Sequence, residues 1–314
     1  MKKINNIVKV FLGFSGLLLS NQLFAQQDAM FTHYMYNTLA VNSGYAGSRE
    51  ALTVTGLHRS QWLGIEGAPI TQTLTLHTPI FRNDLGVGFS LVNDQIGPTN
   101  TTAFYADVAY RLKFKSDHKL SLGLKAGGNL RQGSLSTLKV NEQGDQSFNN
   151  VQTQFLPNFG FGAYYYTTTW YVGLSMPKLL ENKFLDEKNG AKTNLASEKR
   201  HYFFIAGTVF PLSSKIKLKP TTFVKVTEGA PVEADLTATF LLYDMVSIGA
   251  MLRTGDAIGV LAGYQITNQL AVGYSFDWSY ALATGKYNGG SHEIMLRYDF
   301  IFNDKEKIKS PRYF

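Results

Sequence analysis

The chain has 314 residues, of which 44% are hydrophobic and 17% are charged, enough for one large domain or two ordinary ones. It contains no Cys, which excludes disulfides, thiol chemistry and a lipid anchor on Cys. The formal net charge is +7, but three of the Lys residues lie in the first 25 positions, where there is no acidic residue. The remaining chain is therefore too weakly basic to indicate a nucleic-acid partner.

Residues 1–25 have the pattern of a secretory signal peptide. Lys2 and Lys3 form a positive start, residues 10–19 are apolar, and Ala25 precedes a plausible cleavage point. An uncleaved transmembrane anchor is the alternative, which the short and glycine-interrupted apolar run disfavours. No later stretch approaches the length of a membrane-spanning helix, but an exported chain can also span a membrane as a closed β-barrel.

Residues 26–50 show no hydrophobic period. An aromatic-rich stretch at 31–37 is followed by turn-prone residues at 42–47. We predict an irregular segment that lies in the periplasm or packs inside the domain as a plug.

From residue 51 onward, apolar and polar residues alternate, which is the side-chain period of a β-strand. Residues 291–302 show it over six alternations, with mainly apolar residues at the even positions and mainly polar ones at the odd positions. Such a stretch is about long enough to cross a membrane as a tilted strand. The predicted strands, fourteen in all, are 52–60, 70–78, 85–93, 102–114, 120–130, 155–165, 170–176, 202–210, 216–226, 232–242, 246–253, 258–264, 270–276 and 291–302.

The connections between these strands alternate in length. Those after even-numbered strands are short, and those after odd-numbered strands are mostly longer, including 61–69, 94–101, 132–154, 177–200 and 277–290. Short turns at one end and long loops at the other are typical of outer-membrane barrels, in which the short turns are periplasmic.

We therefore predict an all-β fold, a transmembrane antiparallel up-and-down β-barrel of about 14 strands with short periplasmic turns and longer extracellular loops. The barrel spans residues 51–303, a periplasmic tail follows at 304–314, and both termini lie in the periplasm. A soluble β-sandwich is the alternative, because alternation alone does not say which face is wet. Polar faces rich in Gly, Ser and Thr disfavour it.

Candidate catalytic and metal-binding residues are few. Glu233 and Asp235 share one face of a predicted strand, and paired carboxylates can hydrolyse glycosides. We favour the alternative that they pair with Lys217, Lys219 or Lys225 on the neighbouring strand. The His residues lack the spacing of a zinc site. We predict no enzymatic activity, no cofactor and no metal.

Several stretches resemble the PorP/SprF family, outer-membrane proteins of the type IX secretion and gliding-motility machinery of Bacteroidetes. These stretches are QQD at 26–28, FTHYMYN at 31–37, NSGYAGSR at 42–49, LHRSQW at 57–62, GAP at 67–69, TQT at 71–73 and KSPRYF at 309–314. Ala29 and Ser43 stand where the family more often has Pro, which suggests a divergent paralogue.

The resemblance implies a non-enzymatic barrel needed for export or surface attachment of a large adhesin-like substrate. Its partners would be the C-terminal domain of that substrate, the periplasmic ring and motor components, and outer-membrane lipid, with no nucleic acid. The predicted partner-binding residues are Phe31, Tyr34, Tyr36, Trp62, Arg312, Tyr313 and Phe314. The aromatic segment and the tail would dock in the periplasm, whereas the long loops 132–154 and 177–200 would meet the substrate.

The alternative function is a passive outer-membrane channel or small-molecule transporter, because fourteen strands enclose room for a ligand. The inward cations would then favour anions; these are Lys125, Arg131, Lys217, Lys219, Lys225 and Arg253. If they pair across the lumen with Asp107, Glu233 and Asp235, the pore conducts little.

Overall fold

The structure is a computed structural model that describes residues 30–81, 83–134, 151–188, 191–280 and 286–301. Two short helices precede the strands, the α-helix α1 (Thr38–Val41) and a 3₁₀ helix (Ser43–Tyr45). Within the described ranges no helix is long and apolar enough to cross a membrane. The strands are β1 (Leu52–Ser60), β2 (Ile70–Ile80), β3 (Leu85–Ile96), β4 (Thr99–Lys113), β5 (Lys119–Gly133), β6 (Val151–Tyr166), β7 (Trp170–Met176), β8 (Lys183–Lys188), β9 (Ala191–Ser197), β10 (His201–Thr208), β11 (Phe210–Pro211), β12 (Ile216–Thr227), β13 (Glu233–Leu242), β14 (Val246–Arg253), β15 (Ala257–Gln265), β16 (Leu270–Ser279) and β17 (Ser291–Phe300).

Fourteen of these strands form a closed antiparallel barrel. Neighbours in the sequence pair in order from β1 to β7, then through β10 and from β12 to β17, and β17 pairs with β1 to close the sheet. The two-residue strand β11 continues β10 beyond Val209 and pairs with β12, whereas β8 and β9 form a separate hairpin. The predicted all-β, 14-stranded, up-and-down barrel is confirmed.

All fourteen predicted strands are present, but more than half of each of two predicted loops is strand. The connection expected at 94–101 is mostly strand, because β3 runs to Ile96 and β4 begins at Thr99. Polar side chains join these extensions, since the Asn93 amide donates to Asn100 and Thr102. The stretch 177–200, expected to be a loop, contains the β8–β9 hairpin. Its strands lack the apolar–polar alternation by which the others were recognised.

The short turns lie together at one end of the barrel, which is the periplasmic end. One of them joins β13 to β14, and there the Met245 N–H donates to the Leu242 carbonyl at 3.0 Å. Its central residues Tyr243 and Asp244 have φ values of 54° and 55°. Two positive φ values are typical of a type I′ turn, whose twist matches that of the flanking strands.

The faces of the barrel are inverted relative to a water-soluble protein. On β17, Glu293 faces the lumen and is 0% exposed, whereas the neighbouring Ile294 faces outward and is 58% exposed. Leu124 on β5 is 70% exposed. An exposed Leu or Ile in water forgoes about 1.5–3 kcal/mol of burial free energy. A full ring of such residues is therefore stable in lipid, and the β-sandwich alternative is wrong.

A charge placed on this outer face should weaken the barrel. Leu296, near the middle of β17, is 52% exposed on the outward face. We expect Leu296→Arg to lower the free energy of unfolding in lipid vesicles by about 2–4 kcal/mol, because Arg at mid-membrane depth is poorly solvated. Tyr287→Arg is the control, since Tyr287 lies in the β16–β17 connection and is 79% exposed. Equal losses for the two variants would contradict the lipid-facing assignment.

Candidate functional site

The lumen of the barrel is occupied by residues 30–50, which we call the plug. All plug residues from 31 to 49 are buried except the partly exposed Tyr36, Ala40 and Ser48. The hydrophobic core of the molecule lies where the plug meets the wall. It combines plug residues with inward residues of the strands, namely Tyr34, Met35, Leu39, Val41, Tyr45, Ala46, Ala109, Tyr164, Tyr166, Tyr171, Phe203, Ile205, Phe223, Met251 and Leu261.

The plug runs through the lumen from the extracellular end to the periplasmic end. At its start, Met30 lies beside Lys225, near the extracellular end of β12. At its finish, Glu50 pairs with Lys119, the first residue of β5, at 2.7 Å. The expectation that both termini are periplasmic is thus corrected for the N-terminal side, because residue 30 lies at the extracellular end. The tail predicted at 304–314 lies outside the described residues. Strand β1 does begin at the periplasmic end, but the chain before it passes back up through the barrel.

The first part of the plug, residues 30–37, is called the arm, and its main attachment is a buried cluster called the latch. The Glu293 carboxylate accepts hydrogen bonds from the backbone N–H groups of Thr32 (2.9 Å) and His33 (2.6 Å), and it contacts His33 Nδ1 at 2.8 Å. Arg59 Nη1 lies 2.7 Å from Asp277 Oδ2 and 3.3 Å from Glu293 Oε2. The Thr32 hydroxyl donates to Asp277 at 2.5 Å and accepts from Arg59 at 2.9 Å. These five residues form the latch.

Two tyrosines of the arm pack deeper in the lumen. The Tyr34 hydroxyl donates to Thr221 at 3.0 Å, and its ring centroid lies 4.8 Å from that of Phe223. Burial raises the pKa of the Tyr34 hydroxyl above its usual value, so Tyr34 stays a neutral donor. Lys219 Nζ and the Arg297 guanidinium carbon each lie 5.2 Å from the Tyr36 ring centroid, within range of cation–π attraction.

The remaining part of the plug, residues 38–50, is called the base, and it is held through its backbone. Lys125 donates to the Leu39 carbonyl at 3.3 Å, and Ser175 donates to the Val41 carbonyl at 2.8 Å. Further down, the Gly47 N–H donates to His77 Nδ1 at 3.1 Å. Backbone groups buried away from water need such partners, and the wall supplies them.

Glycines in the wall allow the base to approach closely. A Cβ atom at Gly86 would overlap the carbonyl of Ala46, and one at Gly123 would overlap the backbone of Ser43. Here the plug backbone touches the wall backbone, which leaves room only for Gly. The base is therefore interlocked with the wall.

An ion pair fixes the periplasmic end of the base. Arg49 donates to both carboxylate oxygens of Asp299, through Nε at 3.2 Å and Nη2 at 2.9 Å. The Thr53 hydroxyl donates to the same carboxylate at 2.6 Å. A two-pronged guanidinium–carboxylate pair is among the stronger hydrogen-bonded contacts in proteins, and both partners are 2% exposed.

Three further lumen cations pair with carboxylates of the wall. Lys125 lies 3.0 Å from Asp107 on the neighbouring strand. Lys225 lies 2.9 Å from Glu233, which confirms the predicted pairing of that carboxylate. Arg253 lies 2.8 Å from Asp235. These three pairs join adjacent strands, and the partner of Asp235 is Arg253 and not one of the lysines expected on the other neighbouring strand. In the described ranges, no group of three or more His, Asp and Glu side chains could hold a metal ion.

The sequence of the chain matches a known protein family. Residues 23–298 match the family described as "Type IX secretion system membrane protein PorP/SprF". The chain belongs to the PorP/SprF family. It is therefore an outer-membrane component of the type IX secretion system. No curated protein matches the chain.

Solved structures with some similarity to this PorP/SprF member are barrels with low sequence identity. The Acinetobacter baumannii outer membrane protein Omp33 is 12% identical, with a TM-score of 0.44, over 80% of this chain and 98% of Omp33. A Pseudomonas aeruginosa FadL homologue is 12% identical, with a TM-score of 0.44, over 80% and 89% of the two chains. The translocator domain of autotransporter NalP from Neisseria meningitidis is 14% identical, with a TM-score of 0.42, over 85% and 95%.

The partner-binding residues predicted for the PorP/SprF resemblance are placed apart from one another. Phe31 and Tyr34 are buried in the lumen, and Tyr36 is largely enclosed there, so this conformation does not offer them to a periplasmic partner. Trp62 is partly exposed in the β1–β2 connection, at the extracellular end. Their role in binding partners stays a prediction. Residues 312–314 lie outside the described residues.

The wall half of the latch was missed by sequence reasoning. Arg59 and Asp277 were not singled out, and Glu293 was recognised only as a member of the polar face of its strand. Their inward direction was readable from the alternation, but their convergence on Thr32 depends on contacts up to 261 residues apart in the sequence.

Proposed function

We propose that this PorP/SprF barrel is a non-enzymatic component needed for export or surface attachment of one specific, large, adhesin-like substrate. It would contact the C-terminal domain of that substrate and the ring or motor components in the periplasm, as part of secretion and gliding motility. The observation that carries the proposal is the match to the family over residues 23–298.

The filled lumen supports a role in which the barrel binds other proteins at its surface, and not one in which solutes pass through the lumen. A passive anion channel needs cationic side chains along a continuous water path. Here Lys125 and Arg253 are paired with carboxylates in the wall, and the plug takes up the lumen. The alternative of a channel or small-molecule transporter is thereby disfavoured.

The extracellular end of the barrel has a connection that hydrogen bonds hold in place and that a substrate can contact. The connection between β7 and β10 is fastened to the wall, since Asn158 Oδ1 accepts from the N–H groups of Leu179 and Leu180. Glu198 accepts from the side-chain amides of Asn129 at 2.6 Å and Asn182 at 2.8 Å. A fixed connection loses less conformational entropy on binding than a free loop. We therefore place the substrate contact at this end of the barrel.

A clean deletion strain tests the proposal. We expect loss of one or a few surface adhesins, measured by surface proteomics of intact cells, with restoration by the full-length gene. Planar-bilayer recording of the purified protein should show no large open current. Normal display of every surface adhesin together with altered solute uptake would reject the proposal in favour of the transporter.

A further inference from the structure

The two parts of the plug are attached in different ways. The base is interlocked with wall glycines, has backbone groups bonded to the wall, and continues covalently into β1. The arm is held near its start by the latch, where Thr32 and His33 contact charged side chains of the wall through hydrogen bonds and the imidazole ring. Release of the arm breaks these bonds, the packing of Tyr34 and Met35 in the core and the bonds from the arm to Thr38, but no interlock of backbones. Release of the base also breaks the interlock with the wall glycines.

The latch recognises features that many peptides share. Two of the donors to Glu293 are successive backbone N–H groups, at 2.9 Å and 2.6 Å, at the start of a run of turns. Any non-proline segment in such a turn conformation can present them to one carboxylate. The wall side of the latch contacts two side chains of the arm. One is the Thr32 hydroxyl, which lies between Asp277 and Arg59, and the other is the ring of His33.

The charge of the latch selects among such peptides. Without the arm, the wall contributes two carboxylates and a single guanidinium, all at most 2% exposed in the present structure. An uncompensated buried carboxylate is costly, so a ligand that brings a positive charge next to Glu293 is favoured. The complementary ligand is a turn-forming segment with Ser or Thr followed by a cationic residue.

We propose that the latch is a peptide-binding site in which the arm is the resident ligand, and that a turn-forming segment of a partner outside the cell displaces it. The partner reaches the latch from outside the cell, because the arm starts at the extracellular end of the lumen while the base closes the periplasmic end. The identity of that partner as the exported substrate rests on the proposed function, whereas exchange at the latch does not.

Single-cysteine labelling can test release of the arm, because the chain has no native Cys. Met35→Cys reports on the arm and Ser43→Cys on the base, and both positions are buried. A membrane-impermeant maleimide is applied to intact cells carrying the full-length protein. In a Glu293→Gln background we expect labelling of Met35→Cys to rise about tenfold, since a hydrogen-bonded carboxylate is lost, with Ser43→Cys unchanged.

Asp235→Asn is the matched control, because Asp235 is a buried carboxylate paired with Arg253 inside the wall. It should leave labelling of Met35→Cys unchanged. Heat-modifiable migration in SDS gels verifies that each variant is a folded barrel. A parallel rise at Ser43→Cys, or no rise at Met35→Cys, would overturn separate release of the arm.

Displacement is tested with a synthetic peptide of residues 30–37, added outside cells that carry Met35→Cys and an intact latch. We expect faster labelling with this peptide and no change with a version in which Thr32 and His33 are replaced by Val and Leu. No response to the first peptide, or equal responses to both, would overturn the binding site. Neither assay involves secretion, so their failure leaves the type IX role standing, whereas normal adhesin display in the deletion strain removes that role alone.

Discussion

Replacing Gly86 with Val is expected to displace the base of the plug and to turn a closed barrel into a conducting one. A Cβ atom at Gly86 would overlap the Ala46 carbonyl, and both contacting groups belong to backbones that cannot rotate away. Overpacking usually costs about 1–3 kcal/mol, and relief here requires the plug to move, because the wall strand is held by two hydrogen-bonded neighbours. Planar-bilayer recordings should show discrete current steps that the unaltered protein lacks.

The matched control for this substitution is Gly56→Val. Gly56 also lies in a barrel strand, but a Cβ atom there meets no other atom within 4 Å. It should fold and remain closed, so that any current can be assigned to the plug and not to the added volume. Current steps of similar size and frequency from both variants, or from neither, would show that the base does not seal the lumen.

Removing the positive charge of the latch is expected to have the largest effect on stability. In Arg59→Met, the carboxylates of Asp277 and Glu293 lose a guanidinium that lies 2.7 Å and 3.3 Å from them. Deleting one partner of a buried ionic cluster typically costs about 3–5 kcal/mol, because the remaining charge is left uncompensated. The loss of unfolding free energy is measured by urea unfolding in lipid vesicles, with heat-modifiable gel migration as the readout of the folded fraction.

Lys113→Met serves as the control for this stability measurement. Lys113 pairs with Asp84 at 2.7 Å, but both side chains are close to half exposed, at 44% and 50%. An exposed pair of this kind contributes at most about 1 kcal/mol. If Arg59→Met unfolds at the same urea concentration as Lys113→Met, the latch does not stabilise the barrel. Arg59→Lys keeps the charge on a side chain that is one atom shorter than the path to Arg59 Nη1, which makes all the contacts in the latch, so its stability should be intermediate.

The barrel strands could be predicted because their signal is local. On β17 the alternation between Glu293 and Ile294 assigns each side chain to a face without any knowledge of the neighbouring strands. The hairpin turns are similarly local, since the short connections separate strands that pair next to each other. The β8–β9 hairpin was missed for the same reason, because its polar strands carry no alternation.

The sequence by itself determined the fourteen strands, the lipid-facing surface and the periplasmic end of the barrel, because each depends on residue spacing within one or two strands. Only the tertiary structure decided where residues 30–50 lie. Their aromatic and polar side chains suit a lumen or a partner surface equally well, and the choice depends on fit to the wall. Wall glycines that admit the base, and a carboxylate at Glu293 that meets the Thr32 N–H, come together only once the barrel has closed.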